Sequence, residues 1–403
     1  MNLFGQQCNR LAELVESGGL DKPLLLITIA LLSIGVVVIS TASIEVAEAK
    51  YGDPFYHLFR HLLYLVIALV VATITFFVPM QFWEKSGWVM LGASIVLLIL
   101  VLIPGIGREV NGSMRWIRAG PFNLQVSELT KLFVIIYLAG YLVRRLGEVR
   151  SQLSGFIKPM AVMALMIILL LLEPDFGAVV VLMSAVLGMM FLGGVKLLQF
   201  LILICVSLVA VVIMAVSQPY RMQRLVTFMD PWAEENVFDS GYQLTQALIA
   251  FGRGEWLGVG LGNSVQKLFY LPEAHTDFVF AIMAEETGVV GAVVVVCLLA
   301  MLALRTLLIG RRAEKQGQFF SAYLAYGVGL LFGTQALINI GVNTGLLPTK
   351  GLTLPLLSYG GSSLIASCMA IAMVLRVNYE FIMSSNPEER RMRNASQTLG
   401  AFP

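Results

Sequence analysis

Residues 156–195 read FIKPMAVMALMIILLLLEPDFGAVVVLMSAVLGMMFLGGV. As one helix, rising about 1.5 Å per residue, this stretch would be about 60 Å long, which is twice the thickness of a bilayer's hydrocarbon core. Pro174 breaks helical hydrogen bonding, and the flanking carboxylates of Glu173 and Asp175 avoid lipid. The stretch therefore predicts two membrane spans joined by a polar turn, Phe156–Leu172 and Phe176–Val195.

The composition of the whole chain agrees with this local pattern. Of 403 residues, 58% are hydrophobic and 13% are charged, and the net charge is +2. Ordinary soluble proteins carry roughly 25% charged residues. These values exclude a soluble globular enzyme, a disordered chain and an electrostatic nucleic-acid binder, and they indicate a polytopic membrane protein.

Apolar runs of about 17–25 residues are candidates for membrane helices. The sequence contains ten, so it predicts an all-α polytopic membrane protein with ten transmembrane helices. The first run is too long for the core of a signal peptide and lacks a basic leader, so we expect it to be retained. The runs are Leu24–Ser43, Leu62–Val78, Gly87–Ile103, Leu129–Val143, Phe156–Leu172, Phe176–Val195, Leu197–Ser217, Phe278–Leu304, Phe319–Ile340 and Ser358–Leu375.

Lys and Arg residues are more frequent on the side of the termini than on the opposite side, which places both termini in the cytoplasm. An even number of spans agrees with this placement. Residues 1–22 and 384–403 are predicted to be polar cytoplasmic tails, and residues 23–383 to form one membrane domain. Three outer loops are long enough to be functional: Pro104–Glu128, the periplasmic loop Gln218–Asp277 (218–277) and Gly341–Leu357.

The first long loop ends in residues that suit the start of a helix. Ser127 is expected to cap the fourth span, and Glu128 suits the positive end of that helix. Lys131 falls one turn inside the span, where it either pairs with Glu128 and snorkels or serves a site. Trp116, taken alone, is typical of an interfacial anchor.

The second long loop carries basic residues and a glycine-rich segment. Arg221 and Arg224 would share one face of a helix, as a clamp for a phosphate or carboxylate or as a solvated basic pair. The segment Gly252–Gly262 superficially suggests a nucleotide-binding loop, but it follows no strand and lacks the G-K-[ST] ending. We expect its glycines to form tight turns on the membrane surface.

The same loop ends with Glu273, His275 and Asp277, three titratable residues at the membrane border. Thr276 or Asp277 suits the cap position of the next helix. Desolvation at the same place raises the pKa of a carboxylate toward that of a useful general base. Both readings of Asp277 stay open from the residues alone.

The third long loop contains a single cation, Lys350. Ser358, with two glycines after Tyr359, opens the last span, and such a site can offer backbone N–H groups to an anion. Cations on the outer side together with an acid at the membrane border favour an anionic, lipid-linked substrate. The four cysteines and three histidines form no ligand motif, so no metal site is predicted from them.

At these residues the chain closely resembles the SEDS (shape, elongation, division, sporulation) family of bacterial peptidoglycan glycosyltransferases. The resemblance extends from about Leu24 to Tyr379. Ala274 and the segment Thr349–Leu352 resemble the family's cell-division type more than its elongation type. The motifs that carry the resemblance are Arg115–Ile117, Gln125–Lys131, Glu173–Gly177, Tyr220–Arg224, Pro272–Phe278 and Pro355–Ser363.

The resemblance implies an enzyme that polymerises lipid II into glycan strands on the outer face of the bacterial cytoplasmic (inner) membrane, at the division septum. It implies a class B penicillin-binding protein and other divisome proteins as partners, besides membrane lipids. The family's essential acid corresponds to Asp277. Residues expected to bind substrate are Trp116, Glu128, Lys131, Arg221, Arg224, His275, Lys350 and Ser358.

In this chemistry Asp277 would act as general base, and the cations would stabilise the leaving pyrophosphate. No cofactor is otherwise indicated. A divalent cation, Mg²⁺ or Mn²⁺, that bridges Asp277 and the pyrophosphate is an alternative that would compete with the role of Asp277 as base. Two other functions stay open: a lipid II flippase and a non-catalytic division scaffold.

Overall fold

The protein is described by a computed structural model over residues 19–110, 113–120, 122–216, 219–237 and 241–385. These residues fold into a helical membrane protein with one small sheet. The helices are α1 (Lys22–Ala42), α2 (Ile44–Tyr51), α3 (Tyr56–Phe77), α4 (Met80–Leu102), α5 (Val126–Ser151), α6 (Leu153–Leu172), α7 (Phe176–Leu192), α8 (Leu197–Val216), α9 (Pro219–Met229), α10 (Glu234–Val237), α11 (Tyr242–Gly254), α12 (Val279–Lys315), α13 (Phe319–Asn343) and α14 (Gly361–Ser385).

Each predicted apolar run lies largely within one of these helices. Among the described residues, eight helices are long and apolar enough to cross a membrane. The other two runs lie in α7, which has 17 residues, and in α8. Several helices extend beyond the predicted runs, as α12 does to Lys315. An apolar run marks only the part of a helix that lies in lipid, and polar residues can continue the same helix into water. The predicted terminal tails lie mostly outside the described residues.

The loop between α4 and α5 contains a three-stranded antiparallel sheet, β1 (Gly107–Val110), β2 (Ser113–Ala119) and β3 (Phe122–Gln125). The prediction of an all-α chain missed this sheet. Its strands of four to seven residues leave little periodic signal. The dipeptide Asn111-Gly112 was the available sign of a hairpin, and it lies outside the described residues.

Three helices form the centre of the membrane domain. In the most apolar stretch of α5, 83% of the residues are buried, compared with 22% in the corresponding stretches of α3 and α12. α13 and α14 are also mostly buried in the protein. The positions of these three helices, and of the polar residues on them, are therefore set by packing on all sides.

The span α12 is broken near its N-terminal end. Gly288 has φ 69° and ψ −171°, a conformation that favours glycine. The break frees backbone groups that lipid cannot satisfy. The glycine-rich segment 254–262 satisfies them: Val259 and Gly260 N–H groups donate to the Glu285 and Glu286 carbonyls at 3.0 and 3.1 Å. The carbonyls of residues 255 and 256 accept from the N–H groups of residues 289 and 290 at 2.9 and 3.2 Å.

The segment does form turns, as expected of its glycines, with Gly258, Gly260 and Gly262 at positive φ. Its glycines have a second role. They let one backbone approach another. A Cβ atom on Gly254 would lie 2.2 Å from the Ala284 carbonyl oxygen, whereas a Cβ atom on Gly252 in the same helix would meet nothing within 4 Å.

We therefore expect Gly254→Ala to destabilise the protein and Gly252→Ala to leave it unchanged or slightly more stable. A backbone clash has to be relieved by moving α11 away from α12, which costs about 1–3 kcal/mol or more. At Gly252 alanine adds only helix propensity. The check is the thermal unfolding midpoint of the two purified variants in detergent; equal midpoints would contradict the proposed close approach.

Candidate active site

A cavity of about 240 Å³ opens between the sheet, the turn after α6, the segment before α12 and the third long loop. It brings together Trp116, Glu128 and Asp277, three of the residues predicted to form the site. The lining residues are Ser113, Arg115, Trp116, Gln125, Glu128, Asp175, Ala178, Glu273, Thr276, Asp277, Gly351, Leu352, Thr353, Tyr359 and Gly360.

Asp277 does not cap a helix. α12 begins at Val279, and neither Thr276 nor Asp277 provides a side-chain cap, so the capping expectation is wrong. The helix start is set instead by tertiary contacts: the side-chain amides of Asn339 and Asn343 both donate to the Asp277 carbonyl at 3.0 Å. The Asp277 carboxylate is thereby left for the cavity.

The third long loop packs directly on Asp277. A Cβ atom on Gly351 would lie 2.7 Å from Asp277 Oδ2, so a larger residue there would displace the carboxylate. The Asn339 amide also donates to the Leu352 carbonyl. One side chain of α13 thus joins the segment that carries Asp277 to the loop that carries Lys350.

The environment of Asp277 raises its pKa to about 7. Burial is the main cause, and the negative charge of Glu273 adds to it. The positive charge of Arg115 acts in the opposite direction, and Asp175 raises the pKa further. A carboxyl group with a pKa near neutrality exchanges protons readily at physiological pH, as a general base has to.

Arg115 joins the sheet to the turn between α6 and α7. Its Nε and Nη2 donate to the carbonyls of Glu173 and Pro174 at 3.2 and 2.6 Å, and its Nη1 lies 4.0 Å from Asp175 Oδ1. Asp175 caps α7 through Ala178 N–H at 3.2 Å. The polar turn is therefore also one wall of the cavity, and it places a guanidinium there.

Ser127 binds this turn and does not cap α5. Its hydroxyl donates to Asp175 Oδ2 at 2.9 Å, while α5 starts at Val126 without a side-chain cap. The predicted cap was wrong because the turn after α6 offers a buried carboxylate at the same position.

Glu173, in the same turn, is fully buried, and neither carboxylate oxygen has a hydrogen-bond partner among the described residues. Burial, helped by Asp175, raises its pKa to about 8, against the opposing charge of Arg115. The neutral acid is therefore its main form at pH 7.

Glu128 and Lys131 form the i,i+3 ion pair expected from their spacing, with Nζ 2.9 Å from Oε1. Lys131 is 1% exposed, so it does not snorkel to the surface. Its ammonium also donates to Gln335 Oε1 at 3.1 Å, and the Gln335 amide donates to the Thr353 carbonyl at 2.9 Å. Lys131 therefore supports the cavity wall from behind, while Glu128 reaches the cavity itself.

The chain's three histidines gather around Tyr359. The ring centroids of His57, His61 and His275 lie 5.1, 6.1 and 5.6 Å from that of Tyr359. The His275 carbonyl accepts from Tyr359 N–H at 3.0 Å, and burial lowers the pKa of His275. His275 does not line the cavity and instead packs against Tyr359, which does.

The other predicted binding residues occupy different positions. Lys350 lies with Nζ 4.8 Å from the ring centroid of Phe176, next to the cavity residue Gly351. Ser358 is buried and accepts a hydrogen bond from Leu354 N–H at 2.7 Å, which shapes the third loop. Arg221 and Arg224 lie on α9, as expected of a helical pair, but their side chains are outside the described part of the structure.

Sequence reasoning missed several residues of the site. Arg115 was available as part of the motif before Trp116, and Asp175 as part of the polar turn. Asn339 and Asn343 gave a weaker signal: two amides one turn apart in an apolar span, where buried polar residues need partners.

We expect Asn339→Leu to lower stability by about 1–3 kcal/mol, because it leaves the buried Leu352 carbonyl without its amide donor. Thr334→Val is the matched control, since the hydroxyl of Thr334 bonds to carbonyls within α13. The thermal unfolding midpoint should fall clearly for Asn339→Leu and little for Thr334→Val. Equal changes would contradict the linking role of Asn339.

Comparisons with known proteins identify the family. A family of cell cycle proteins that comprises FtsW, RodA and SpoVE matches residues 22–381. The chain is 58% identical over 361 residues to a probable peptidoglycan glycosyltransferase FtsW from Pseudomonas fluorescens, covering 90% of this chain and 88% of the relative. It is 55% identical over 370 residues to the corresponding protein of Hahella chejuensis, covering 92% and 93%.

Solved structures agree. A chain from a study of how a peptidoglycan synthase complex coordinates polymerization and crosslinking has a TM-score of 0.73 and 28% identity, covering 90% of this chain and 98% of that one. The rod shape determining protein RodA of Thermus thermophilus has a TM-score of 0.66 and 28% identity, covering 89% and 96%. The chain therefore belongs to the FtsW/RodA/SpoVE family.

Proposed function

We propose that the chain is the peptidoglycan glycosyltransferase of cell division. It polymerises lipid II into β-1,4-linked glycan strands and releases undecaprenyl pyrophosphate. The observation that carries this proposal is Asp277, a carboxyl group with a pKa near 7, in a cavity at the outer end of a membrane domain. The FtsW relatives support the reaction class.

In the proposed reaction the 4-hydroxyl of the acceptor attacks the anomeric carbon of the donor. The new glycosidic bond forms as the bond from that carbon to the pyrophosphate oxygen breaks, with inversion from α to β. Asp277 takes the hydroxyl proton as general base. The leaving pyrophosphate carries its own negative charge, so it needs cations and no protonating acid.

Arg115 and Lys350 are proposed to supply positive charge for this chemistry. Arg115 lines the cavity, and Lys350 adjoins Gly351, which packs on the Asp277 carboxylate. Trp116 and Glu128 line the cavity as further contacts for the sugar or its peptide. Arg221 and Arg224 remain proposed pyrophosphate ligands from the sequence. Lys131, His275 and Ser358 are proposed to position the residues that contact the substrate.

A divalent cation would need the substrate as a ligand. Among the described residues no group of three His, Cys, Asp or Glu side chains can hold a metal ion. Asp277 with phosphate oxygens and water would suit Mg²⁺ or Mn²⁺, which often bind through one carboxylate and a substrate phosphate. Such an ion would neutralise charge on the leaving pyrophosphate.

The protein is an integral protein of the bacterial inner membrane. We propose ten transmembrane helices with both termini in the cytoplasm, and a location at the division septum. The proposed partners are a class B penicillin-binding protein, which cross-links the strands, and other divisome proteins. The similarity to a chain of a peptidoglycan synthase complex supports a synthase partner.

We expect Asp277→Asn to lower the rate of lipid II polymerisation by about 10²–10⁴-fold, because the base is lost while the shape is kept. Asp230→Asn is the matched control, since Asp230 is exposed on the same loop and outside the cavity. Both variants are assayed as purified protein in detergent with the penicillin-binding partner. A detergent micelle does not separate two compartments, so lipid II cannot be flipped across it. Polymerisation by the parent chain in detergent therefore also excludes a function limited to flipping. Full activity of Asp277→Asn would refute the assignment.

The pH dependence should report the charges around Asp277. The ionised carboxylate is the active form, so kcat/KM rises as pH increases through about 7 and then levels off. Glu273→Gln removes a negative charge and should move this rise to lower pH. Arg115→Gln removes a positive charge and should move it to higher pH. Shifts of the same sign in both variants would show that the titrating group is not Asp277.

A further inference from the structure

Two large apolar side chains stand exposed where the glycine-rich segment meets the broken span. Trp256 is 74% exposed and Leu257 is 79% exposed. The backbone here is fixed, because the Glu255 and Trp256 carbonyls accept from the N–H groups of Val289 and Val290. These two side chains therefore need an apolar environment at a defined place on the surface.

That place is continuous with the lipid-facing side of α12. Val289, Val290, Val293 and Val294, which follow the break, are 47%, 51%, 53% and 50% exposed on a membrane span. The first two are the residues bonded to the 255–256 backbone. Trp256 and Leu257 thus lie next to the first residues of the exposed valine face.

The depth of this surface in the bilayer follows from the length of α12 between the break and the cytoplasmic end. Arg305 binds Asp21 through two hydrogen bonds of 2.9 and 2.8 Å and marks the cytoplasmic end of the apolar part. From Val289 to Leu304 the helix rises about 24 Å, close to the hydrocarbon thickness of about 30 Å. Val289 therefore lies near the outer edge of the hydrocarbon, at the level where tryptophan is enriched.

Irregular backbone is tolerated at this depth only if its polar groups are paired within the protein. The segment pairs several of these groups. Gly258 N–H donates to the Gly254 carbonyl at 2.7 Å, and Val259 and Gly260 N–H groups donate to carbonyls of α12. The exposed carboxylate of Glu255 limits the depth to the headgroup region.

We propose that Trp256 and Leu257 insert into the outer leaflet of the lipid bilayer and anchor the broken span at the membrane interface. The occupant of this surface is lipid. The anchor is bonded to residues 285–290 of the helix that begins beside Asp277, so it holds the proposed base at a constant height above the lipid. This consequence, unlike the insertion itself, rests on the proposed function.

Insertion is measured on the full-length chain in lipid nanodiscs. The four cysteines are replaced by serine, and a nitroxide is attached at Leu257→Cys, Val294→Cys or Gln316→Cys. Val294 is the lipid reference on the same span, and Gln316 is the aqueous reference beyond its cytoplasmic end. Collision rates with oxygen and with a water-soluble nickel chelate give the depth of each label.

We expect the ratio of oxygen to nickel accessibility at position 257 to exceed that at 316 severalfold and to approach that at 294. A ratio equal to that at 316 would place Leu257 in water and overturn the proposal. Low accessibility to both reagents would mean that protein covers the residue, which overturns it as well. No activity is needed, so the result is separate from the test of the proposed function.

The effect of the anchor on the height of Asp277 above the lipid is tested separately. The double variant Trp256→Gln, Leu257→Gln should polymerise lipid II severalfold more slowly than the parent chain in nanodiscs and at the parent rate in detergent, where no flat interface exists. An unchanged rate in nanodiscs would refute the anchoring consequence.

Discussion

Backbone polar groups at the border of a membrane have to be hydrogen-bonded within the protein, because lipid offers them no partner. This constraint organises the half of the molecule that contains the cavity. Where α12 is broken at Gly288, the segment 254–262 pairs the freed groups. Where the chain enters α12, Asn339 and Asn343 pair the Asp277 carbonyl. In both places, satisfying the backbone also determines where the long loops lie.

The electrostatics of the cavity follow from that placement. Burial is the main cause that raises the pKa of Asp277; Glu273 and Asp175 raise it further, and Arg115 opposes them. Arg115 is held by the carbonyls of the turn between α6 and α7, and Ser127 ties the same turn to α5. Because these charges come from separate loops, the proton affinity of Asp277 depends on how the loops are joined. The proposed base is therefore tuned by the fold as a whole.

The sequence predicted the positions of the apolar helices well, because apolar runs interrupted by charges have few alternatives in a membrane protein; eight of these helices, among the described residues, are long and apolar enough to cross a membrane. The sequence also drew attention to Asp277: the residues alone left open a cap and a general base, and the resemblance to the SEDS family favoured the base. It could not predict the helix starts. Ser127 and Thr276 have the residue types of caps, but Ser127 binds Asp175 and α12 starts after Phe278. Such choices depend on tertiary partners that no local pattern contains.

Asn339 shows the same limit within the site. Its sequence neighbourhood is an ordinary apolar span, and its importance comes from Asp277 and Leu352, which are distant in the chain. The sheet β1–β3 was missed because its strands are short and one of its turns had to be recognised from a single dipeptide. Motifs indicated which loops matter, whereas the contacts between the loops required the structure.

The proposed chemistry depends on Asp277 being a carboxyl group whose proton affinity is tuned to neutral pH. Infrared difference spectroscopy measures this directly, with the spectrum of Asp277→Asn subtracted from that of the parent chain across a pH titration. We expect a protonated-carboxyl band that disappears with a midpoint of about pH 7. A group that is already ionised at pH 5 would contradict it.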